Sequence, residues 1–373
     1  MASLISKSLF LIFSFSLMIC LSFSSIPGDF SSLSNYELHK FTSNENVFEL
    51  FKAWQKEYNK EYESKEEELK RFEIFKSNLN YIVTRNAKRS SASQYSLGLN
   101  EFADLTFEEF SKTHLGEIQI DQSTVEEAKM GNNKMEQPRL CPNAPTTWDW
   151  RIMGAVTPVK NQGNCGSCWA FSAIGAIEGI NALTTGNLVS LSEQQLVSCD
   201  TSSFGCQGGY VTTAFDYVIR NRGVASEVLY PYTATNGTCN AFLETFRNAS
   251  IDGHRWVGSR SEDTLFCAVA RQPVTALVQA SGPDFMFYQN GIIDESACRN
   301  ISPCTVNHGV LVVGYGTISG QDYWIVKNSW GSNWGAGGYF FLKRNTGLDV
   351  GVCNVNCYPI VPTKNTVTLD SAI

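Results

Sequence analysis

The sequence lacks any long apolar run beyond its N-terminal segment, although the chain is 373 residues long. It also lacks a concentration of charge, because charged residues make up 17% of the chain and the net charge of -7 is spread along it. Internal repeats and low-complexity tracts are missing as well. These absences argue against a later membrane span and against a nucleic-acid partner. The length instead predicts two or three units, each able to bury its own core.

The N-terminal segment, residues 1–24, has the features of a secretory signal peptide. Lys7 stands near its start, Ser14, Ser16 and Ser22 interrupt the apolar run, and small residues near Ser24 offer a cleavage site. A membrane anchor is the alternative, but the interrupted run falls short of the about 20 residues that a span needs. We therefore expect a soluble mature protein with no membrane partner, in a vacuole or lysosome or in the extracellular space.

Histidine is scarce, with four residues in the whole chain, whereas cysteine is abundant, with twelve. Removal of Cys20 with the signal peptide leaves an odd number of cysteines, so at least one thiol stays free in an oxidising lumen. Glycan acceptors on a secreted surface are predicted by three sequons, at Asn236, Asn248 and Asn300.

Charge is richest between about residues 46 and 116, where apolar residues recur at helical spacing. One stripe consists of Leu69, Phe72, Phe75, Leu79 and Ile82, and it needs a partner surface to cover it. The alternative is an ordinary amphipathic helix that packs inside its own domain. A polar, aromatic-free stretch at 117–143 then predicts a linker accessible to proteases. From residue 144 onward tryptophan, glycine and cysteine become frequent, as in a compact secreted domain.

The region after residue 144 begins with helices and ends with strands. Helices are predicted from Cys168 to Leu183, from Ser192, where Gln195 completes a capping box, and near 211–221. After residue 253 the runs HGVLVVGYG, DYWIVKNSW and GYFFLKR are separated by glycine-containing turns. These runs predict an antiparallel sheet or barrel.

Cys168 opens its predicted helix directly after a glycine-rich loop. A helix N-terminus stabilises a thiolate and helps to lower a thiol pKa of about 8.5 toward about 3.5 to 7.5. A thiolate nucleophile also needs a proton acceptor, and two histidines follow the linker, His254 and His308. His308 is the better candidate because it heads a predicted strand, whereas His254 stands in a polar stretch without a matched partner. Either histidine alone is also compatible with a structural role.

Two further residues complete a candidate catalytic group. Asn328, followed by the shielding Trp330, is a plausible acceptor that fixes the tautomer of the imidazole. Gln162 stands six residues before Cys168 and can offer its side-chain amide to an oxyanion, beside the Cys168 backbone N–H.

Three blocks, QGNCGSCWAFS, NHGVLVVGYG and KNSWGSNWG, resemble the active-site blocks of papain-like cysteine proteases in their order. The resemblance implies an α+β, papain-like two-domain fold with a helical lobe at about 144–253 and an antiparallel β-barrel lobe at about 254–360. The active site would lie in the cleft between the lobes. The implied catalytic roles are oxyanion donor, nucleophile, general base and acid, and orienting residue, held in turn by Gln162, Cys168, His308 and Asn328.

The upstream region resembles a cathepsin L-like inhibitory propeptide, most closely that of a plant zymogen. The spacing of the ERFNIN helix is reproduced by Glu67, Arg71, Phe75, Asn78, Ile82 and Asn86. The GNFD block is reproduced by Gly98, Asn100, Phe102 and Asp104. The implied organisation is a propeptide at 25–143, with an inhibitor domain at about 47–104 and an activation linker at about 117–143, followed by a peptidase domain at 144–373.

The resemblance also implies which cysteines pair: Cys165 with Cys206, Cys199 with Cys239, and Cys304 with Cys353. A fourth bridge between Cys298 and Cys357 is compatible with their flanking positions. If Cys141 leaves with the propeptide, Cys267 would remain as a second, buried thiol. A thioredoxin-type redox pair of Cys165 and Cys168 is the alternative, but the partner at Cys206 and the flanking Trp169 argue against it.

The substrate-binding positions implied by the resemblance are Gly208, Gly209, Tyr210, Val211, Leu277, Val306, Gly309 and Trp330. They favour an apolar side chain two residues before the scissile bond. The floor of that pocket stays undefined because the segment CNVNCYP is shorter than its counterpart in the family.

We therefore expect a monomeric cysteine endopeptidase, made as a zymogen, that degrades proteins in an acidic compartment. Its expected partners are protein and peptide substrates, its own propeptide and cystatin-type inhibitors, and its chemistry needs no metal or other cofactor. Acid should weaken the carboxylate contacts of the propeptide, with Asp104 as one candidate. The alternative is a catalytically silent homologue that acts as a storage or binding protein, although all four catalytic positions are present.

Overall fold

The structure is a computed structural model that describes residues 38, 40–41, 43–91, 94–118, 141–298, 302 and 304–365. The predicted signal peptide, most of the predicted activation linker and Asn300 lie outside the described residues. Within the described ranges, no helix has the length and apolar content that a membrane crossing requires.

Helices dominate the first half of the chain and strands the second half. The helices are α1 (Asn44–Glu57), α2 (Lys65–Asn86), α3 (Phe107–His114), α4 (Cys168–Thr185), α5 (Glu193–Cys199), α6 (Val211–Arg220), α7 (Glu262–Val269) and α8 (Pro283–Met286). The strands are β1 (Ser96–Leu97), β2 (Glu117–Ile118), β3 (Trp148–Asp149), β4 (Gly208–Gly209), β5 (Gly253–Trp256), β6 (Val274–Val278), β7 (Tyr288–Asn290), β8 (Ile292–Ile293), β9 (His308–Ile318), β10 (Gln321–Lys327), β11 (Tyr339–Lys343) and β12 (Ile360–Thr363).

Helices α1 and α2 begin at serine caps, whose hydroxyls accept backbone N–H groups of the first turn. The apolar stripe predicted on α2 is buried from Phe72 to Ile82, whereas Leu69 is 58% exposed. The stripe therefore starts one turn later than the sequence predicted. Phe51 and Trp54 of α1 cover it, with ring centroids 5.3 Å from that of Phe75 in both cases.

Two asparagines of α2 hold the chain that returns alongside this helix. Asn78 donates to the backbone carbonyls of Ala103 and Leu105, both at 2.9 Å. Asn86 makes a two-way hydrogen bond with the backbone of Leu97. The returning segment leads into α3, which starts with a complete capping box and delivers the chain to the cleft.

In the helical lobe, α4 runs through the core and ends at Gly186, whose φ of 73° favours glycine. Ser192 caps α5 by accepting the N–H of Gln195 at 3.0 Å. The Gln195 side chain turns away from the cap and instead bonds Tyr217 and the N–H of Ala225. The predicted capping box is therefore only half formed, because the Gln195 side chain bonds to these buried groups instead of to the backbone of Ser192.

The β lobe is one sheet in the order β5, β12, β6, β9, β10, β11, β8, with β3 added to β9. Its pairs are antiparallel except β11 with β8. Strand β9 packs against α4, and this contact places Gly309, which follows the first residue of the strand, against Cys168, the first residue of the helix. The predicted α+β architecture, with a helical lobe, a largely antiparallel β lobe and a helical propeptide, is confirmed.

The propeptide adds a strand to each lobe, because β1 pairs antiparallel with β7 and β2 pairs parallel with β4. A charged anchor reinforces the first contact at Asp284, which is buried in the β lobe. Its carboxylate accepts hydrogen bonds from three propeptide side chains, Tyr81, Arg85 and Tyr95. Asn100 of the GNFD block also donates to the Met286 carbonyl at 2.7 Å.

The structure has the expected bridges Cys165–Cys206 and Cys199–Cys239. The other pairing prediction, Cys304 with Cys353 and Cys298 with Cys357, is wrong: Cys298 joins Cys353, and Cys304 joins Cys357. One segment carries Cys298 and Cys304, and the other carries Cys353 and Cys357. The first cysteine of one segment bonds to the first of the other, and the second bonds to the second. Both Cα separations, 5.3 and 5.4 Å, suit a disulfide.

A fifth bridge joins Cys141 to Cys267. Cys267 is therefore paired rather than a thiol in this chain, and the expectation of a second free thiol, which assumed that Cys141 leaves, does not apply while this bridge is intact. Among the described cysteines, Cys168 is the free one.

Candidate active site

Cys168 is the first residue of α4, and Ser167 before it provides no side-chain cap. The thiol is fully buried beneath the propeptide, and this burial raises its pKa. Hydrogen bonding from the backbone of Gly309 and Gly116 opposes the rise without cancelling it. The helix terminus alone predicted a lowered pKa, but in the covered precursor desolvation of the charged form is the larger effect.

His308 begins β9, and its Nε2 lies 2.7 Å from Oδ1 of Asn328. The same Oδ1 accepts the backbone N–H of Ser329 at 2.9 Å, which identifies it as the oxygen end of the amide. His308 therefore carries its proton on Nε2. Its Nδ1 is buried without a hydrogen-bond partner among the described residues and is the basic nitrogen left for a thiol.

Burial also lowers the pKa of His308 to about 4, although the hydrogen bond with Asn328 partly offsets this. The Trp330 ring shields the imidazole, with centroids 4.6 Å apart. Both members of the predicted pair are thus neutral in the precursor at neutral pH. A thiolate and an imidazolium would form only when water or substrate replaces the propeptide.

Gln162 is fully buried, and its side chain is fixed at both ends. Oε1 accepts the Ser329 hydroxyl at 2.5 Å, so Nε2 must point the other way. Nε2 donates to the carbonyl of Cys165 at 2.8 Å and to the carbonyl of His114 at 3.1 Å. A propeptide carbonyl therefore accepts from the amide that is predicted to bind the oxygen of a substrate.

The propeptide continues across the nucleophile with Gly116, whose backbone bonds to the Cys168 thiol and lies against the backbone of the helical lobe. A Cβ at this position would stand 2.7 Å from the Gly166 carbonyl oxygen and 3.4 Å from the Gly208 Cα. Only glycine fits so close an approach. The next residues form β2 on the predicted substrate-binding strand Gly208–Gly209.

Aromatic side chains of the propeptide close the other side of the site. Phe110 and Phe102 pack against Trp330 with centroids at 5.1 and 6.2 Å. The His114 ring stacks on Phe110 at 4.8 Å and meets Phe102 at 4.7 Å. Burial lowers the pKa of His114 to about 4.

Two predicted apolar pocket residues are buried in the same extended hydrophobic core as Ile118 of the propeptide. They are Val211 and Leu277, and Val306 is packed against this core. Tyr358, from the segment that left the pocket floor undefined, packs against the same core. Tyr210 is half-buried at the start of α6.

Gly309 allows β9 to pack closely against α4, because a Cβ at this position would lie 3.0 Å from the Cys168 carbonyl oxygen. The structure thus brings together the four predicted catalytic residues and most of the predicted pocket.

His254 stands outside this site. It lies in β5 rather than in a polar loop, and its Nε2 is 3.0 Å from Asp216 on α6. The sequence did not reveal this partner, because the two residues are far apart in the chain.

A metal site has no support among the described residues. Their one group of metal-type ligands is Cys199, Cys239 and Glu244, and its two sulfurs are already joined in a disulfide.

Two predicted glycan acceptors, Asn236 and Asn248, are exposed. Their Oδ1 atoms accept backbone N–H groups of Cys206 and Ser226. A glycan would attach through Nδ2. Glycosylation at both positions stays a prediction.

The sequence analysis missed three residues that shape the site: His114, Gly116 and Ser329. Ser329 could have been found, since it follows Asn328 directly. The other two gave no signal, because their roles depend on segments that meet only in the folded chain.

Comparison with known proteins agrees with this geometry. Residues 144–363 match the model of the papain family cysteine protease, and residues 51–110 match the cathepsin propeptide inhibitor domain. The chain belongs to the papain family of cysteine proteases. It is a thiol protease with an inhibitory propeptide.

Its relatives include plant enzymes. Chymopapain of Carica papaya is 45% identical over 331 residues, covering 88% of this chain and 90% of the relative. Cysteine protease XCP2 of Arabidopsis thaliana is 43% identical over 356 residues, covering 93% and 96%.

Solved structures of precursors are similar as well. A recombinant stem bromelain precursor has a TM-score of 0.73 at 37% identity and covers 86% of this chain and 99% of its own. The proform of the ragweed pollen allergen Amb a 11 has a TM-score of 0.74 at 37% identity and covers 89% and 98%.

Proposed function

We propose that the mature protein is an endopeptidase that cleaves extended polypeptides with Cys168 as nucleophile and His308 as base. The observation that carries this proposal is the path of the propeptide, whose main chain crosses Cys168 and bonds to Gln162 and to strand Gly208–Gly209. Because the cleft of the precursor accepts an extended chain that continues on both sides of Cys168, we expect the mature enzyme to cleave peptide bonds inside a polypeptide.

The proposed reaction starts when His308 Nδ1 takes the proton of the Cys168 thiol. The thiolate attacks the peptide carbonyl carbon, a C–S bond forms, and the electron pair moves to the oxygen. The Gln162 amide and the Cys168 N–H stabilise this oxyanion. The imidazolium then protonates the leaving amine as the C–N bond breaks. Water, deprotonated by His308, releases the acid and restores the thiol.

Specificity is the first further part of the proposal. Ile118 of the propeptide shares an extended hydrophobic core with Val211 and Leu277. This supports an apolar residue two positions before the scissile bond. A peptide library that varies this position tests the idea, with Leu277→Glu as the informative variant. If the wild-type enzyme cleaves peptides with polar and apolar residues at this position at equal rates, the idea is contradicted.

Acid activation is the second further part of the proposal. Asp104 accepts hydrogen bonds from Tyr62 at 3.0 Å and Lys60 at 3.3 Å, which supports its predicted role as a carboxylate latch. His114 is a further group whose protonation opposes docking. We propose that the enzyme travels the secretory route and works as a general protease in an acidic vacuole, lysosome or extracellular space.

An epoxide-type active-site probe tests the catalytic assignment. Bromelain of Ananas comosus, similar to this chain with a TM-score of 0.56 and 40% identity, has been solved in complex with the E64 inhibitor. After acid processing, wild-type protein should react with the probe and cleave peptides, while Cys168→Ala should fold and do neither. Absence of labelling in the processed wild-type protein would instead favour the silent storage or binding alternative.

Partners form the last part of the proposal. We expect a monomer that binds a cystatin-type inhibitor in the open cleft. Size-exclusion chromatography with light scattering gives the oligomeric state, and titration of the mature enzyme with a cystatin gives the stoichiometry. A stable dimer or a failure to bind would overturn the respective expectation.

A further inference from the structure

The predicted oxyanion site is built from two pieces of chain. Gln162 supplies a side-chain amide, and Cys168 supplies a backbone N–H at the start of α4. The two donors must keep their spacing, since small misplacements of a preorganised donor reduce the rate strongly. A residue that holds Gln162 in place relative to Cys168 should therefore affect the catalytic rate.

The hydroxyl of Tyr232 contacts both pieces. It donates to the backbone carbonyl of Gln162 at 2.9 Å and lies 2.6 Å from the hydroxyl of Ser167. A phenol has one proton, and here that proton goes to the carbonyl, so Ser167 is the donor to Tyr232. A chain of hydrogen bonds thus links the residue before Cys168 to the backbone of Gln162.

Tyr232 is itself held from two sides. Its ring meets Phe171 of α4 edge-on at 4.9 Å, with an interplanar angle of 81°. Its backbone N–H donates to the carboxylate of Glu227 at 2.8 Å. Burial raises the pKa of Tyr232, so the hydroxyl keeps its proton and remains a donor at any pH at which the enzyme works.

We propose that Tyr232 is a positioning residue that sets the spacing of the two oxyanion donors. It acts through Gln162 and Ser167 rather than on the substrate. The proposal rests on the oxyanion role of Gln162, which is part of the proposed function.

The test compares four mature enzymes: wild type, Tyr232→Phe, Gln162→Ala and the double variant. Phenylalanine keeps the ring on Phe171 and removes only the hydroxyl. Each enzyme is normalised by titration with the epoxide-type probe. kcat and KM are then measured with a fluorogenic peptide amide, and affinity with a peptide aldehyde, whose hemithioacetal places an oxygen in the oxyanion site.

We expect Tyr232→Phe to lower kcat and aldehyde affinity in parallel by about 10-fold, less than the about 100-fold typical of a lost donor. KM and the pH profile of probe labelling should stay unchanged, which a merely structural defect would not produce. The double variant should be no worse than Gln162→Ala alone. Tyr217→Phe is the matched control, because its hydroxyl bonds Gln195 and Glu244 away from the oxyanion donors.

Three results would overturn the proposal: a kcat within twofold of wild type, a loss confined to KM, or an equal additional loss in the Gln162→Ala background. If Gln162→Ala itself keeps wild-type aldehyde affinity, then the oxyanion role fails, and the role of Tyr232 fails with it. A normal Gln162 effect with no Tyr232 effect rejects only Tyr232.

Discussion

Protonation of His114 should open the precursor, and the structure gives the size of the effect. The ring is 3% exposed, stacked on Phe110 and edge-on to Phe102, and the backbone carbonyl of His114 accepts from Gln162. Burial holds its pKa at about 4, against 6.5 for a free imidazole. Lys60 and His308 are the charged or titratable groups whose fields act on it, and both disfavour a positive charge.

The sign follows from which state binds the proton. The docked state keeps the ring neutral, so docking is at full strength above pH 6.5 and weakens progressively as the pH falls toward about 4. Over the whole range the difference of about 2.5 between the two pKa values corresponds to about 3 kcal/mol. At pH 5 the loss is about 2 kcal/mol, or about 30-fold in the docking equilibrium.

The assay is the labelling rate of Cys168 by the epoxide-type probe in intact precursor, measured between pH 7 and 5. His114→Phe keeps the stacking and removes the titration. The probe reaction itself has the same pH dependence in the wild type and in this variant. The ratio of the wild-type labelling rate to the variant labelling rate therefore reports the effect of His114 alone. That ratio should rise by about 20-fold from pH 7 to pH 5. His254→Gln is the control, since this histidine lies outside the cleft and should behave as wild type.

A ratio that stays constant between pH 7 and 5 would refute the reasoning. If Asp104→Asn then abolishes the pH dependence, the carboxylate latch is the dominant switch. Equal labelling of wild-type precursor at both pH values would reject both groups.

Three further predictions concern the propeptide. Gly116→Val should raise labelling of the precursor at pH 7 at least 10-fold, because a Cβ there would meet enzyme backbone at 2.7 Å; an unchanged rate would contradict the close approach. Asp284→Ala should raise the same rate at least 10-fold, since it removes a buried acceptor of three propeptide side chains. The control is Glu108→Gln, which removes an exposed ion pair with Lys112 and should leave the labelling rate unchanged. The Cys141–Cys267 bridge predicts that N-terminal sequencing places the mature start at or before Cys141; a later start with no disulfide-linked fragment would contradict it.

Much of this site could be predicted from sequence because its residues stand at the ends of regular elements. Cys168 begins a helix and His308 begins a strand, and local patterns define such ends well. The propeptide was recognised from its resemblance to known propeptides, and the structure shows what two of the matching residues do: Asn78 and Asn86 bind backbone atoms of residues at 97–105. Spacing along one helix encodes these contacts.

The failures share a different origin. The pairing of Cys298 and Cys304 depends on which way one loop lies against another, and no local pattern fixes this. The half-formed capping box at Ser192 arises because Gln195 finds a buried partner on α6. Both are contacts between distant segments, where tertiary packing overrides local preference.

The electrostatic state of the catalytic pair is a third kind of property, because it belongs to the covered cleft rather than to any residue. The helix terminus at Cys168 and the acceptor at Asn328 both favour an ion pair, yet burial beneath Phe110, His114 and Gly116 leaves thiol and imidazole neutral. The propeptide therefore inhibits in two ways at once, by bonding to the Gln162 amide and by removing the water that supports the charges. Since both effects depend on the same docked segment, anything that undocks it should restore binding and reactivity together.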